Sequence, residues 1–225
     1  LKDVKEVIPE DAVIFTDVGW NKNGVAQEFD ITIPGTIHHS SGLATMGFGP
    51  SAVLGGKVAA PDKIVINLTG DGGFGINPSC LATAVEHGIA CTWVVMNNSA
   101  FGTIAGLENA NYKTKFGTVF YKPDGERYTI CWADVAKSYG IESICVNSAE
   151  EFKPALEKAI AANKEGRPFL VEAPMENIVV PTPGCWNIND IYTPNALVKE
   201  GKLVKKENGR YVAPSHSKSH DGCLN

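Results

Sequence analysis

Short apolar runs recur along the chain, separated by stretches in which apolar residues return every three or four positions. Five runs read as strands: residues 12–16 (AVIFT), 64–69 (IVINLT), 91–97 (CTWVVMN), 141–146 (IESICV) and 168–173 (PFLVEA). Each is short, rich in β-branched residues and apolar on both alternations, as in strands covered on both faces. Between them, residues 50–60, 78–87, 132–139 and 149–163 carry helical patterning. Pro50 and Pro78 suit a first helical turn, where a missing N–H costs little. Ser148 ahead of Glu150 and Glu151 reads as a helix start, with acidic residues at the positive end of the dipole. The alternation predicts an α/β domain: a mainly parallel sheet with helices on both faces.

Three segments break the pattern. Residues 35–49 (GTIHHSSGLATMGFG) read as a glycine-rich loop. Residues 98–129 form a connection too long for mere joining, which predicts a functional loop or lid. From residue 174 the chain becomes irregular, and its end (SHSKSHDGCLN) is polar enough to be disordered. The expected division is residues 1–173 as a binding domain and 174–225 as a tail, with Cys185 and Trp186 folding over a domain surface.

Composition narrows the function. The 225 residues are 44% hydrophobic and 20% charged, ordinary for a globular chain. A formal charge of −5 argues against nucleic acid, which needs a concentrated basic face. No apolar run approaches the roughly 18 residues of a membrane span, and no secretory leader is visible. The six cysteines are scattered without a CxxC pair, so zinc is not expected, and a reducing, cytoplasmic setting is.

The chemistry concentrates after the second predicted strand, in Gly70-Asp71-Gly72-Gly73-Phe74-Gly75. Gly70, Gly72 and Gly75 spell G-x-G-x-x-G, the dinucleotide fingerprint. Asp71 argues against that reading, because it would face a pyrophosphate in the same turn. The acidic residue that would hold a ribose at the end of the next strand is also missing. A divalent cation between Asp71 and phosphates removes the conflict. A βαβ unit brings the end of the next strand, Asn97-Asn98, about 4.8 Å away. Octahedral Mg²⁺ with oxygens at about 2.1 Å places adjacent ligands roughly 3 Å apart. Asn98 can therefore supply an amide oxygen opposite Asp71.

Gly70-Asp71-Gly72, 24 intervening residues and Asn97-Asn98 resemble the thiamine diphosphate motif. Ser41–Pro50 resembles the matching segment of acetolactate synthase and its relatives. The resemblance runs from about Ala12 to Ala173 and covers only the C-terminal, diphosphate-binding domain of that family. It implies the thiamine diphosphate-binding fold, with Mg²⁺ held by Asp71, Asn98 and the carbonyl of Ala100. It further implies a cofactor site built from Asn21, Lys22, Ala44, Met46, Gly70, Gly72, Gly73, Phe101, Gly102 and Thr103. Lys22 also reads as solvated surface. Met46 matches the apolar wedge that holds the cofactor bent, so that its own amino group reaches thiazolium C2; outside the motif, a lone methionine reads as core filler. His38 and His39 are candidate proton donors, or loop histidines without function.

The same resemblance bears on substrate and partners. Acetolactate synthases place a Met and a Trp where Thr103 and Leu107 stand. Residues 101–120 are more similar to trihydroxycyclohexanedione hydrolases, which open a ring by C–C cleavage. Lys113, Lys115 and Lys122 can attract an anion or simply be solvated. The family's activating glutamate lies on a pyrimidine-binding domain, and no glutamate here matches it. The implied protein is the diphosphate-binding half of an enzyme that makes or breaks C–C bonds beside a carbonyl. It would be completed by a partner domain or subunit in a hetero- or homo-oligomer. A silent phosphate- or nucleotide-binding subunit is the alternative from outside catalysis.

Overall fold

A computed structural model describes residues 1–114 and 116–176, with residues 198, 200, 201, 204, 205, 211 and 212 beyond them. The chain divides into two compact units, Leu1–Val179 and Val180–Asn225. The expectations for Cys185, Trp186, Lys115 and the polar C-terminus lie outside the described residues.

Unit 1 is built on a six-stranded, wholly parallel sheet. Its strands are β1 (Val13–Thr16), β2 (Ile37–His39), β3 (Val65–Gly70), β4 (Thr92–Asn97), β5 (Glu142–Cys145) and β6 (Phe169–Pro174), in the order β2-β1-β3-β4-β6-β5. The central strands are buried along their length because their alternate side chains feed two separate cores. Val65, Trp93 and Val95 pack with Phe15, Val53, Phe74, Leu81 and Trp132. Ile66, Leu68 and Val94 pack with Val4, Ile14, Val25, Leu156 and Ile160. The first core is closed by α3 (Phe48–Ala59), α4 (Asp71–Phe74), α5 (Cys80–Glu86) and α7 (Trp132–Ser138); the second by α1 (Lys2–Val7), α2 (Trp20–Glu28) and α8 (Ala149–Lys164). Trp93 is fully buried, and its indole N–H donates to Pro50 O at 2.9 Å, tying the start of α3 to β4.

The five expected strands are present, and the sheet contains a sixth. β2 lies inside the segment read as a glycine-rich loop, and α6 (Gly102–Tyr112) occupies part of the expected lid. Neither α1 nor α2 was legible from patterning: α2 buries only Asn21 and Val25 and carries no apolar stripe. The tail in unit 2 is not wholly irregular, since β7 (Val204–Lys205) and β8 (Tyr211–Val212) pair antiparallel.

Topology positions the site. From β1 the chain steps outward to β2, then returns to β3 on the other side of β1. Such a reversal opens a crevice beyond the C-terminal strand ends, the usual ligand position in open α/β sheets. The turns after β1, β3 and β4 carry Asp17, Asp71 and Asn98.

Candidate functional site

Asp71 opens α4 directly from the end of β3 and is 4% exposed. Its Oδ1 accepts the Asn98 backbone N–H at 3.4 Å. Burial pushes its carboxyl up to about 6, against the lowering effect of N–H groups from Asn98, Gly72 and Ala100. One terminal atom of the Asn98 side-chain amide lies 2.9 Å from Ala100 O and 3.0 Å from Asp71 Oδ1. As nitrogen it donates to both. As oxygen it stands from each of the two at the edge length of an octahedral Mg²⁺ site, about 3 Å. A half turn of one amide thus decides whether that atom donates to both oxygens or stands beside them as a third oxygen. The three residues expected to hold Mg²⁺ are brought together, and their donor set fits a hard, oxygen-loving cation.

The Asn98 loop is braced from several sides. Asn97 is buried, and its Nδ2 donates to Glu172 Oε1 at 2.7 Å and Ile130 O at 2.9 Å, while its Oδ1 accepts Ser99 N–H at 3.1 Å. Ser99 sits at φ +50°, a left-handed conformation that costs a non-glycine residue about 1 kcal/mol or more. The turn aims the Ala100 carbonyl at Asn98. Ala100 then pairs with Val119, Phe101 N–H donates to Thr118 O, and the Arg127 guanidinium donates to Asn98 O.

Close approach explains two glycines of the GDGG turn. A Cβ on Gly72 would stand 2.7 Å from the Phe101 ring and 3.4 Å from Met46 Cε. Gly72, Met46 and Phe101 therefore meet. A Cβ on Gly73 would collide with the Asp17 carboxylate. Gly70 lies beside Asn21, whose Oδ1 accepts Lys22 N–H. Thr103 meets Gly19, which sits at φ +110°, so the first turn of α6 abuts the turn after β1. Ala44, at φ +49°, bends the loop ahead of Met46.

Asp17 was missed from the sequence. It is 1% exposed, and its carboxylate accepts Gly47 N–H at 3.2 Å and Gly49 N–H at 2.9 Å. It fastens the loop carrying Met46 to the end of β1. The available signal was a single acid directly after an apolar strand.

Other candidates fall elsewhere. His38 stacks on Phe15 at 4.9 Å and bonds Gly35 O at 2.9 Å, on edge strand β2. His39 is exposed and pairs in register with Thr16. Lys113 Nζ donates to Ala110 O, and Lys122 pairs with Glu126 at 2.7 Å. Among the described residues, the one buried glutamate is Glu172, which is bonded to Asn97 and Ala133.

A parallel sheet with a switch point between β1 and β3, and oxygen-bearing groups of Asp71, Asn98 and Ala100 gathered at its C-terminal strand ends, define an open α/β domain of the ligand-binding kind. Residues 17–173 match the family described as thiamine pyrophosphate enzyme, C-terminal TPP binding domain. The chain belongs to that family. It is 34% identical over 192 residues to a probable acetolactate synthase large subunit of Methanocaldococcus jannaschii, covering 82% of this chain and 31% of the relative. It is 33% identical over 159 residues to 3D-(3,5/4)-trihydroxycyclohexane-1,2-dione hydrolase of Bacillus velezensis, covering 71% and 25%. A thiamine diphosphate-dependent 4-hydroxybenzoylformate decarboxylase of Rhodococcus jostii shares the fold, with a TM-score of 0.69 at 24% identity over 80% of this chain and 32% of that one. The chain spans between a quarter and a third of the length of these proteins.

Proposed function

We propose that this chain is the diphosphate-binding half of a thiamine diphosphate- and Mg²⁺-dependent enzyme that makes or breaks a C–C bond next to a carbonyl. The observation that carries the reading is the meeting of Asp71, Asn98 and the Ala100 carbonyl at 2.9–3.0 Å, beside glycines that admit no side chain. Asp71, Asn98 and Ala100 would hold Mg²⁺, and the Gly70–Gly73 turn would lie along the diphosphate. Asn21, which approaches Gly70 from the first turn of α2, and its neighbour Lys22 would contact the diphosphate from that side. When bound, the cofactor supplies a nucleophilic carbon that adds to carbonyls. The chain's own work is to hold and shape. Asp17 fixes the loop that presents Met46 against Gly72 and Phe101, which makes a firm apolar ledge. Phe101, Gly102 and Thr103 close the site from the start of α6.

The other half is proposed to come from a pyrimidine-binding domain or subunit. Glu172, the buried glutamate, is engaged within the sheet and free to activate nothing. Exposed apolar side chains crowd the elements that carry the site: Leu43 is 95% exposed, and Ile76, Ile104 and Leu107 are also exposed. A neighbouring protein surface would cover them. Among the described residues, no helix is long and apolar enough to cross a membrane.

Ring-opening C–C hydrolysis of a cyclic diketone is the second reading. Thr103 and Leu107 favour it, since they stand where acetolactate synthases, by resemblance, carry Met and Trp.

Thermal unfolding of the chain with Mg²⁺ and thiamine diphosphate tests the binding claim. At ligand near 100 Kd the stabilisation is about 2.7 kcal/mol, a rise of about 5–10 °C for a domain this size. The rise should require both components. No rise, or an equal rise with ATP or NAD, overturns the reading.

A further inference from the structure

Toward the β5 edge of the sheet lies a second cluster of ligand atoms, linked to the site above only through the Asn97–Glu172 hydrogen bond. Cys131, Cys145 and Glu172 each present one such atom, and all three lie within 4.8 Å of one another. We propose that they form a site for a thiophilic divalent cation of the zinc class.

The geometry suits such an ion. Tetrahedral zinc with Zn–S near 2.3 Å and Zn–O near 2.0 Å sets its sulfur and oxygen ligands about 3.5 Å apart. Cys131 Sγ stands 3.6 Å from Glu172 Oε2. Cys145 on β5 pairs in register with Glu172 on β6. In a parallel sheet that pairing puts both side chains on one face.

The site is also held in place before any ion arrives. Glu172 is 1% exposed, with Oε1 accepting from Asn97 Nδ2 at 2.7 Å and Oε2 from Ala133 N–H at 2.8 Å. Cys131 is fixed on both sides: Asn97 Nδ2 donates to Ile130 O at 2.9 Å, and Ser143 Oγ donates to Ala133 O at 2.6 Å. Besides Ala133 N–H, Oε2 accepts the Cys131 thiol proton, and loss of that proton to a bound ion frees this lone pair for the metal. Entry is open, because Cys131 is exposed and β5 is the sheet's edge strand.

Chemistry separates this role from a redox one. Burial and the neighbouring Glu172 push the Cys145 thiol up to about 11, and the Cys131 thiol is raised too. Such thiols are poor nucleophiles toward peroxides or disulfides. A soft cation deprotonates them itself: one M²⁺ and two thiols give an M²⁺ bis-thiolate and two protons, which leave to buffer. The carboxylate then brings the net charge of the centre to −1. Mg²⁺ does not compete, since it favours oxygen ligands alone.

Co²⁺ serves as the probe. The fully reduced chain is titrated anaerobically with Co²⁺ and followed by thiolate-to-cobalt charge transfer and tetrahedral d–d absorption. It is then back-titrated with Zn²⁺. One equivalent should saturate the bands, and Zn²⁺ should bleach them. Cys131→Ser and Cys145→Ser should each weaken binding by at least about 100-fold, the upper end of what losing even an outer-shell partner costs. Cys185→Ser/Cys223→Ser should leave the bands intact. Cys131→Ser replaces an exposed side chain, and its circular dichroism spectrum reports folding independently. Absence of the bands in reduced protein overturns the proposal. So does their survival in folded Cys131→Ser, or their loss in Cys185→Ser/Cys223→Ser. None of these outcomes depends on whether the chain binds thiamine diphosphate.

Discussion

Asp71→Asn separates the stability of the metal-free chain from its ability to hold a cation. In the metal-free fold Asp71 is buried, and its carboxyl rises from 3.8 to about 6. At about 1.4 kcal/mol per pH unit, this corresponds to about 3 kcal/mol. The sign is that of an acid whose folded pKa lies above its unfolded value. Between pH 4 and 6 the folded chain binds a proton that the unfolded chain has released. Stability therefore falls as pH rises through that window and is flat above it. An amide has no charge to bury, so in EDTA the variant should exceed wild type by up to about 3 kcal/mol at pH 8. The gap should vanish near pH 4. Differential scanning calorimetry reads it as about 6–12 °C at pH 8, from 2–4 °C per kcal/mol for a chain of this size. The variant should then lose the Mg²⁺-dependent response to thiamine diphosphate that wild type shows. Equal melting temperatures at pH 8, or a full cofactor response in the variant, would refute the reasoning. A site residue that destabilises the empty fold is expected where charge has been installed for a ligand.

The remaining predictions concern the frame around that carboxylate. Gly73→Ala drives a methyl into the Asp17 carboxylate; urea unfolding should show a loss of about 2 kcal/mol or more, with the cofactor response gone. Met46→Ala should leave stabilisation by Mg²⁺ with inorganic diphosphate unchanged and lower that by Mg²⁺ with thiamine diphosphate, because Met46 would touch only the ring end; equal losses for both ligands contradict the ledge. Asn97→Ala leaves Glu172 and the Ser99 turn without their shared partner and should cost about 2–3 kcal/mol by denaturant titration. Replacing His38, which packs on Phe15 rather than beside Asp71 and Asn98, with Gln should leave the cofactor-induced thermal shift within error of wild type.

Which parts of the fold were legible follows from burial. β3 and β4 announce themselves because both alternations are apolar, each feeding its own core. β2 is only Ile37-His38-His39, with both histidines exposed, so nothing in its pattern separates it from a loop. α2 and α6 lack an apolar stripe: α6 buries Ala105 and leaves Ile104 and Leu107 exposed. Helices that offer an apolar face outward defeat a rule that assumes one inward face. At the site, the closeness of Asp71 and Asn98 was readable because they end β3 and β4, which pair side by side. Asp17 was not, since its role depends on Gly47 and Gly49, about thirty residues away, and no local pattern marks such a partnership. The Cys131–Cys145–Glu172 cluster was invisible for the same reason. It joins a helix start to two strands, and nothing in the spacing of scattered cysteines places Cys131 beside Cys145.

The most direct test is a crystal grown with thiamine diphosphate and Mn²⁺ in place of Mg²⁺, read by anomalous scattering at the manganese edge. The account predicts a single strong peak about 2.1–2.2 Å from Asp71 Oδ1, the Asn98 amide oxygen and Ala100 O. A peak elsewhere, or a crevice with cofactor bound and no ion touching Asp71 and Asn98, would contradict it.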